Sequence, residues 1–330
     1  MSNVRWGLLS TANINRRVIP AIRSSQRGEL VAVASRTKER AQAYATEWEI
    51  EQAFGSYEAM LESGAVDAVY IGLPNSLHAE WTIRALENGV HVLCEKPFAL
   101  TLEEVDSVVE AVKATGNVVT EAFMYRHHPQ TKLLGRWVQE GRLGDLLAVR
   151  GVFNFQVSDA RDVRLQPELG GGCLWDVGVY PLSLAQYIFG GRPQEVMGHQ
   201  IVGDSGVDEV FMGQMSYGHR RDDGPFAQIM SSFRSPFYTY AAIIGTQGRL
   251  TFTRPFVAPE EGRIMYYPAD GEPQKVDGPQ QYLYLGEVED MHAAILDGAE
   301  PYLSLAETRD HVRTVLALYE SAEKGQAVAV

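Results

Sequence analysis

The sequence predicts an α/β protein: a doubly wound parallel sheet, followed by a C-terminal α+β domain on a large, mostly antiparallel, open-faced sheet. Three observations carry this reading. Short apolar runs alternate with helical patterns from Val4 to Thr120, the rhythm of right-handed βαβ units. After Glu121 the rhythm gives way to longer strand-like segments joined by short polar loops. A chain of 330 residues, 45% of them hydrophobic, is also long enough for two cores.

Residues 4–10 read as the first strand, interrupted only by Arg5, and Thr11-Ala12-Asn13 as a small-residue turn. Apolar spacing over 14–22 suits a helix despite Pro20. A buried strand over 30–35 precedes a helix over 37–48, and a strand over 66–73 leads through Pro74-Asn75-Ser76 into a helix from His78 to Glu87. A strand over 90–94 comes next. Thr101-Leu102-Glu103-Glu104 has the capping-box spacing that starts a helix over 101–114, and 117–120 is a further short strand. The second part opens with a helix over 129–140 and a long strand over 146–157, and a Gly-rich stretch introduces a helix over 174–189. Strands are expected over 195–202, 209–217, 226–233, 238–244 and 249–253. Two helices close the chain, over 285–296 and from the capping box Ser304-Leu305-Ala306-Glu307. The expected division is a dinucleotide-binding domain over 1–123 and a substrate-binding and oligomerisation domain over 124–330, with the last helix free to return to the first domain. Ligands favour such junctions.

The formal net charge of −13 argues against nucleic acid or an anionic membrane surface as the main partner. No apolar run is long enough to span a bilayer, and the N-terminus enters a strand without a signal-peptide pattern. Cys94 and Cys173 lack C-x-x-C spacing, so reduced thiols in a cytoplasmic protein are expected.

Chemistry is expected at the carboxyl end of the strand over 90–94, where Glu95, Lys96 and Pro97 follow in succession. In open parallel sheets ligands bind beyond the strands' carboxyl ends. Pro97 has no N–H and drives Lys96 into an extended conformation, holding the ammonium at the strand tip. The turn after the first strand occupies the place of a G-x-G-x-x-G phosphate loop, but Ser10, Ala12 and Asn15 replace the three glycines. A plain turn is an equal reading of the motif alone. Its position between first strand and first helix favours a pyrophosphate site formed by Ser10, Thr11, Ala12, Asn13 and Ile14. At the end of the second strand, Ser35-Arg36-Thr37-Lys38 stands where an NAD site carries an acid for the ribose diol. A hydroxyl on Ser35 and the cations of Arg36 and Lys38 suit a 2′-phosphate, so NADP(H) is expected, with NAD(H) as the alternative.

With these pieces in order, the chain resembles the Gfo/Idh/MocA oxidoreductase family over nearly its whole length. The resemblance rests on Pro74-Asn75-x-x-His78, on Glu95-Lys96-Pro97, and on the run from Gly170 through Cys173, Trp175 and Asp176 to Tyr180. Together with the stretch from Glu121 to Pro129, Tyr180 looks most like the branch of dimeric dihydrodiol and NADP-dependent D-xylose dehydrogenases. The resemblance implies that Lys96 lies near the nicotinamide ribose and the substrate hydroxyl, with a cis Lys96–Pro97 bond. It implies that Leu73, Pro74, Asn75 and His78 line the cofactor, and that the second domain's sheet covers the substrate and mediates a homodimer or homotetramer. Glu95, Met124 and Arg126 are added to the cofactor contacts, and Tyr125, Phe155 and Trp175 to the substrate wall.

The residues also suggest a mechanism of their own. Asp176 and Tyr180, four apart on a helix, share a face. A nearby ammonium stabilises phenolate, so Lys96 and Tyr180 would serve as an acid/base pair while hydride moves to or from the nicotinamide, with Asp176 orienting the sugar or the lysine. His127 and His128 point in different directions on a helix and have no ligand cluster around them, so no metal is expected. The expected activity is oxidation of an aldose such as D-xylose at its anomeric carbon. Alternatives are reduction of a keto- or anhydro-sugar, oxidation of a trans-dihydrodiol, and a non-catalytic nucleotide-binding regulator.

Overall fold

Apolar strands separated by amphipathic helices bury both faces of a parallel sheet, and the computed structural model shows that arrangement over the first part of the chain. It describes residues 3–218, 224–257, 261–278 and 280–330. Strands β1 (Val4–Leu9), β2 (Gly28–Ala34), β3 (Gln52–Phe54), β4 (Ala68–Ile71), β5 (His91–Glu95) and β6 (Val119–Ala122) form a sheet ordered β3-β2-β1-β4-β5-β6. Every neighbouring pair in it is parallel. Helices α1 (Asn15–Ser24), α2 (Lys38–Glu47), α3 (Tyr57–Leu61), α4 (His78–Glu87) and α5 (Leu102–Thr115) make the crossovers. The order reverses between β1 and β4, which is where a doubly wound sheet opens a crevice for a ligand. The expected capping box of α5 is complete: Thr101 Oγ1 accepts from the Glu104 amide, and the Glu104 carboxylate accepts from the Thr101 amide. The edge strand β3 and the single-turn α3 have no counterpart in the sequence reading. Three half-buried residues give no periodic signal.

The second unit is organised on nine strands, ordered β14-β13-β12-β11-β7-β10-β9-β8-β15. These are β7 (Leu146–Asn154), β8 (Glu195–Val202), β9 (Asp208–Ser216), β10 (Phe226–Ser232), β11 (Tyr238–Gly245), β12 (Gly248–Thr253), β13 (Ile264–Pro268), β14 (Gln274–Val276) and β15 (Val328–Ala329). Only β7 and β10 pair in parallel. Strand β7 stops at Asn154, short of the expected 157. The backbone still pairs beyond it, because the Phe155 and Val157 amides donate to the carbonyls of Ser232 and Phe233. Helices α7 (Pro129–Gln139), α8 (Val179–Phe189) and most of α10 (Leu305–Lys324) belong to this unit.

The two units are the chain up to His128 with Tyr284–Arg309, and Pro129–Leu283 with Asp310–Val330. The sequence places the boundary near 121–128 and lets the last helix return to the first domain. Residues 284–309, which comprise helix α9 (Leu285–Asp297) and the start of the last helix, group with the first unit. Helix α9 accounts for the return: its buried His292 accepts from Trp6 Nε1 at 2.9 Å and meets Ser25 Oγ at 3.1 Å.

Candidate active site

The loop after β5 is fixed by groups on either side of Lys96. Tyr70, buried on β4, donates its hydroxyl to the Glu95 carboxylate, and the Lys96 amide lies 3.2 Å from Glu95 Oε2. The Lys96–Pro97 bond is cis. His78 places Nδ1 2.8 Å from the Pro97 carbonyl and Nε2 2.8 Å from the Leu73 carbonyl. The Phe98 amide donates to Glu121 Oε1 at 3.0 Å, and Thr308 Oγ1 donates to the other oxygen of that carboxylate. Between Val92 and Ala99, only Lys96 is not buried. These acid and base groups hold the loop on both sides of Lys96, whose side chain is half-buried at the strand tip.

The turn after β1 suits a phosphate. Ser10 adopts φ of +130°, the backbone region that favours glycine, so it does the conformational work of the missing first glycine. Its hydroxyl donates to the Gly72 carbonyl at 3.1 Å, and Asn15 Nδ2 donates to the Ser10 carbonyl at 2.8 Å. A Cβ on Gly72 would lie 3.0 Å from Ile14 Cγ2, so the β1 turn and the end of β4 approach closely. Helix α1 has no side-chain cap and no acid in its first turn. Its N-terminus therefore keeps the positive end of the helix dipole for an anion, with Thr11, Ala12 and Ile14 half-buried and Asn13 exposed beside it. The residues present fit a dinucleotide.

At the end of β2 the predicted residues diverge. Ser35 is buried and its amide pairs with the Phe54 carbonyl. Lys38 donates its ammonium to the Ala53 carbonyl, while Arg36 is exposed. Of the residues expected along the cofactor, Pro74 and Asn75 are half-buried, but Leu73 and His78 lie inside the protein. His78 therefore acts as a clamp between two loop carbonyls. Only an imidazolium can donate to both oxygens. Burial, and to a lesser degree the charge of Lys96, act against that and lower its pKa. Met124, Tyr125 and Arg126 form the short helix α6 (Met124–His127), and all three are buried. The Arg126 guanidinium, 2% exposed, pairs with Glu307 Oε1 at 2.5 Å, and Tyr125 stands edge-on to Phe123.

In the second unit the Gly-rich run opens into a single π-helical turn, Leu174–Gly178, ahead of α8. The sequence reading joined the two as one α-helix, since a continuous apolar run carries no mark of a change in winding. Such turns recur at functional sites. Asp176 is carried on this turn and pairs with Arg164 Nε at 2.8 Å. Arg164 also meets Asp162 at 3.2 Å and lies over the Phe155 ring, 5.6 Å from its centroid. Phe155 and Asp176, both expected at the substrate, thus meet on one guanidinium. Tyr180, 4% exposed, is enclosed by Phe153 and Phe256, with ring centroids at 5.3 and 5.7 Å. Trp175 is buried with its ring 6.0 Å from that of Tyr319. Sequence reasoning missed the structural roles of Tyr70 and Arg164, which belong to no motif, and of Glu121, which it used only as the start of the stretch that carries the resemblance. Among the described residues, no group of three or more His, Cys, Asp and Glu side chains could hold a metal.

The family model described as oxidoreductase family, NAD-binding Rossmann fold, matches residues 4–123, and the family's C-terminal domain model matches 131–251. The chain belongs to the GFO/IDH/MocA family. It is 39% identical over 98% of both chains to a D-xylose 1-dehydrogenase (NADP(+)) of Haloferax volcanii. It is 33% identical to a 1,5-anhydro-D-fructose reductase of Ensifer adhaerens, covering 99% of this chain and 98% of that one. Among solved structures, a 3-ketoreductase from Actinomadura kijaniata in complex with NADP and TDP-benzene superposes with a TM-score of 0.88 at 28% identity, covering 97% and 98%. This GFO/IDH/MocA protein is therefore an oxidoreductase with an NAD-binding Rossmann domain.

Proposed function

We propose that the protein is an NADP-dependent aldose dehydrogenase that oxidises a D-xylose-type sugar at its anomeric carbon. The observation that carries this reading is the loop anchored around Lys96, where a single half-buried ammonium follows the strand tip of the nucleotide-binding sheet. The similarity to a D-xylose 1-dehydrogenase supports the substrate class. The exposed Arg36, with no acid beside it at the end of β2, supports the 2′-phosphate. When bound, the nicotinamide supplies the hydride acceptor. Lys96 donates a hydrogen bond to the reacting hydroxyl, and Tyr180, as the phenolate that a nearby ammonium stabilises, takes its proton and becomes the phenol. Asp176, held by Arg164, accepts from the neighbouring sugar hydroxyls, and the ring of Phe155 gives them an apolar wall.

The same residues run backwards would reduce a keto- or anhydro-sugar, and the similarity to a 1,5-anhydro-D-fructose reductase favours keeping that direction. The discriminating experiment is a panel of aldoses and polyols assayed for NADP+ reduction, run beside keto- and anhydro-sugars assayed for NADPH oxidation. Preferred turnover of pentoses and hexoses with NADP+ is expected. Binding of NADP without turnover anywhere in the panel would instead favour a regulator. Within an active enzyme, Tyr180→Phe is expected to cost about 10²–10⁴-fold in kcat. A negligible change would move proton transfer to another group.

The reading includes a homo-oligomer formed through the nine-stranded sheet. One face of that sheet presents Met212, 55% exposed, and Phe226, 47% exposed, on adjacent strands. Apolar exposure of this kind suits a second copy of the chain. Light scattering should give a multiple of the 36.6 kDa chain mass, reduced by the double variant Met212→Lys, Phe226→Glu. A cytoplasmic location is part of the same reading, supported by two buried, free thiols at Cys94 and Cys173.

A further inference from the structure

Asp208, the first residue of β9, is a buried carboxylate that the proposed reaction does not use, 4% exposed. Its Oδ2 accepts from the Leu174 amide at 2.8 Å and from the Cys173 thiol at 3.1 Å. Its Oδ1 accepts from the Tyr319 hydroxyl on α10 at 2.7 Å. Gly172, at φ of +126°, brings its backbone so close that a Cβ there would sit 2.2 Å from the same oxygen. The carboxylate therefore joins β9, α10 and the end of the Gly-rich run.

What it holds is the start of the π-helical turn. The first amides of a helix have no partner within it and need an acceptor from elsewhere. Cys173, in the capping position, supplies no side-chain acceptor, and Asp208 meets the Leu174 amide in its place from 34 residues away. Trp175 and Asp176 follow on that turn, and Tyr180 comes immediately after it. Trp175 also rests on Tyr319, so two of the turn's residues are referred to the same α10 side chain or its carboxylate partner. Burial raises the Asp208 pKa, while the Tyr319, Cys173 and Leu174 donors oppose the rise and stabilise the charged form.

We propose that Asp208 is a positioning residue, a remote cap that fixes the π-helical turn and thereby sets the placement of Asp176 and Tyr180. This rests on the roles given to those two residues above. A misplacement of about 1 Å at a reacting group costs about 10²-fold in rate, so the fixity of the turn has a kinetic consequence.

The test uses the full chain with Asp208→Asn and, separately, Tyr319→Phe. Amide hydrogen exchange in the absence of sugar reads the turn directly. Exchange over 174–180 is expected to accelerate by about tenfold or more, with the remaining strands of both units unchanged. For any sugar the wild type turns over, Asp208→Asn should lower kcat/KM about 10²-fold while the NADPH dissociation constant stays within about twofold. If Asp208→Asn fails to fold, Tyr319→Phe, which keeps the carboxylate and removes one donor, carries the test with the same pattern at smaller size. Unchanged exchange over 174–180, uniform acceleration across the chain, or a loosened turn with unaltered kcat/KM would each overturn the proposal. A wild type that turns over no sugar refutes the proposed function, and exchange then decides the placement on its own.

Discussion

Glu95 and Pro97 flank Lys96, and the loop is anchored through Lys96's neighbours. Tyr70 takes the Glu95 carboxylate, His78 the Pro97 carbonyl, and Glu121 the Phe98 amide. Lys96→Ala is therefore expected to lower kcat by about 10²–10⁴-fold with the loop intact, and NADPH fluorescence titration should show the nucleotide still bound. Near-normal turnover would remove Lys96 from the chemistry. His78→Gln tests the scaffold in another way. The flexible glutamine chain replaces the rigid ring set between the two buried carbonyls, and a carbonyl that loses its donor costs about 1–3 kcal/mol. Tm and kcat should fall together, and a variant with wild-type kcat would show that the clamp does not hold Lys96. The sequence reading found Lys96 because a lysine beside a proline at a strand end is a local pattern. Glu121 and Arg164 escaped it because their partners lie 23 and 12 residues away, and only the fold brings them together.

Helices α8 and α10 approach the nine-stranded sheet over a row of mostly small residues. Ala241, Gly151, Ile229, Gly213 and Gly198 stand side by side on five adjacent strands. A Cβ on Gly151 would meet Pro181 of α8 at 2.4 Å, and one on Gly198 would meet the Leu318 carbonyl of α10 at 2.4 Å. Length, β-branched and aromatic content and the short polar loops between segments made these strands legible in the sequence. The glycines within them carry no such signal in the sequence, because their meaning lies in the helix that covers them. Gly151→Val should push Pro181 away from β7 and carry Tyr180, its chain neighbour, out of line. Overpacking of this kind costs about 1–3 kcal/mol, and a lower Tm with a disproportionate fall in kcat is expected. Differential scanning fluorimetry beside steady-state kinetics would show it. If kcat were unchanged, α8 would have to tolerate displacement without moving Tyr180.

Return of residues 284–309 to the first unit makes the stability of the whole chain depend on two titrating groups of α9 that act in opposite directions. His292 is fully buried, and burial lowers its pKa from 6.5 to about 4. The unfolded chain takes up a proton as pH falls below 6.5 and the folded ring does not, so this contribution is complete above 6.5 and disappears towards pH 4. Glu287 has the reverse sign. It is fully buried, neither carboxyl oxygen has a hydrogen-bond partner among the described residues, and burial, then the charge of Glu95, raises its pKa well above 4.5. Above 4.5 the unfolded carboxyl ionises while the buried one keeps its proton, so stability declines as pH rises towards the folded value. Glu287→Gln keeps the shape and removes the titration. Its Tm should exceed that of the wild type near about pH 8 and converge with it near about pH 4, while the loss assigned to His292 persists in both proteins. Thermal melts across that range measure the difference directly. A glutamine variant no more stable than the wild type at the alkaline end would mean that Glu287 is ionised in the folded protein and held by a cation or water that offsets its burial.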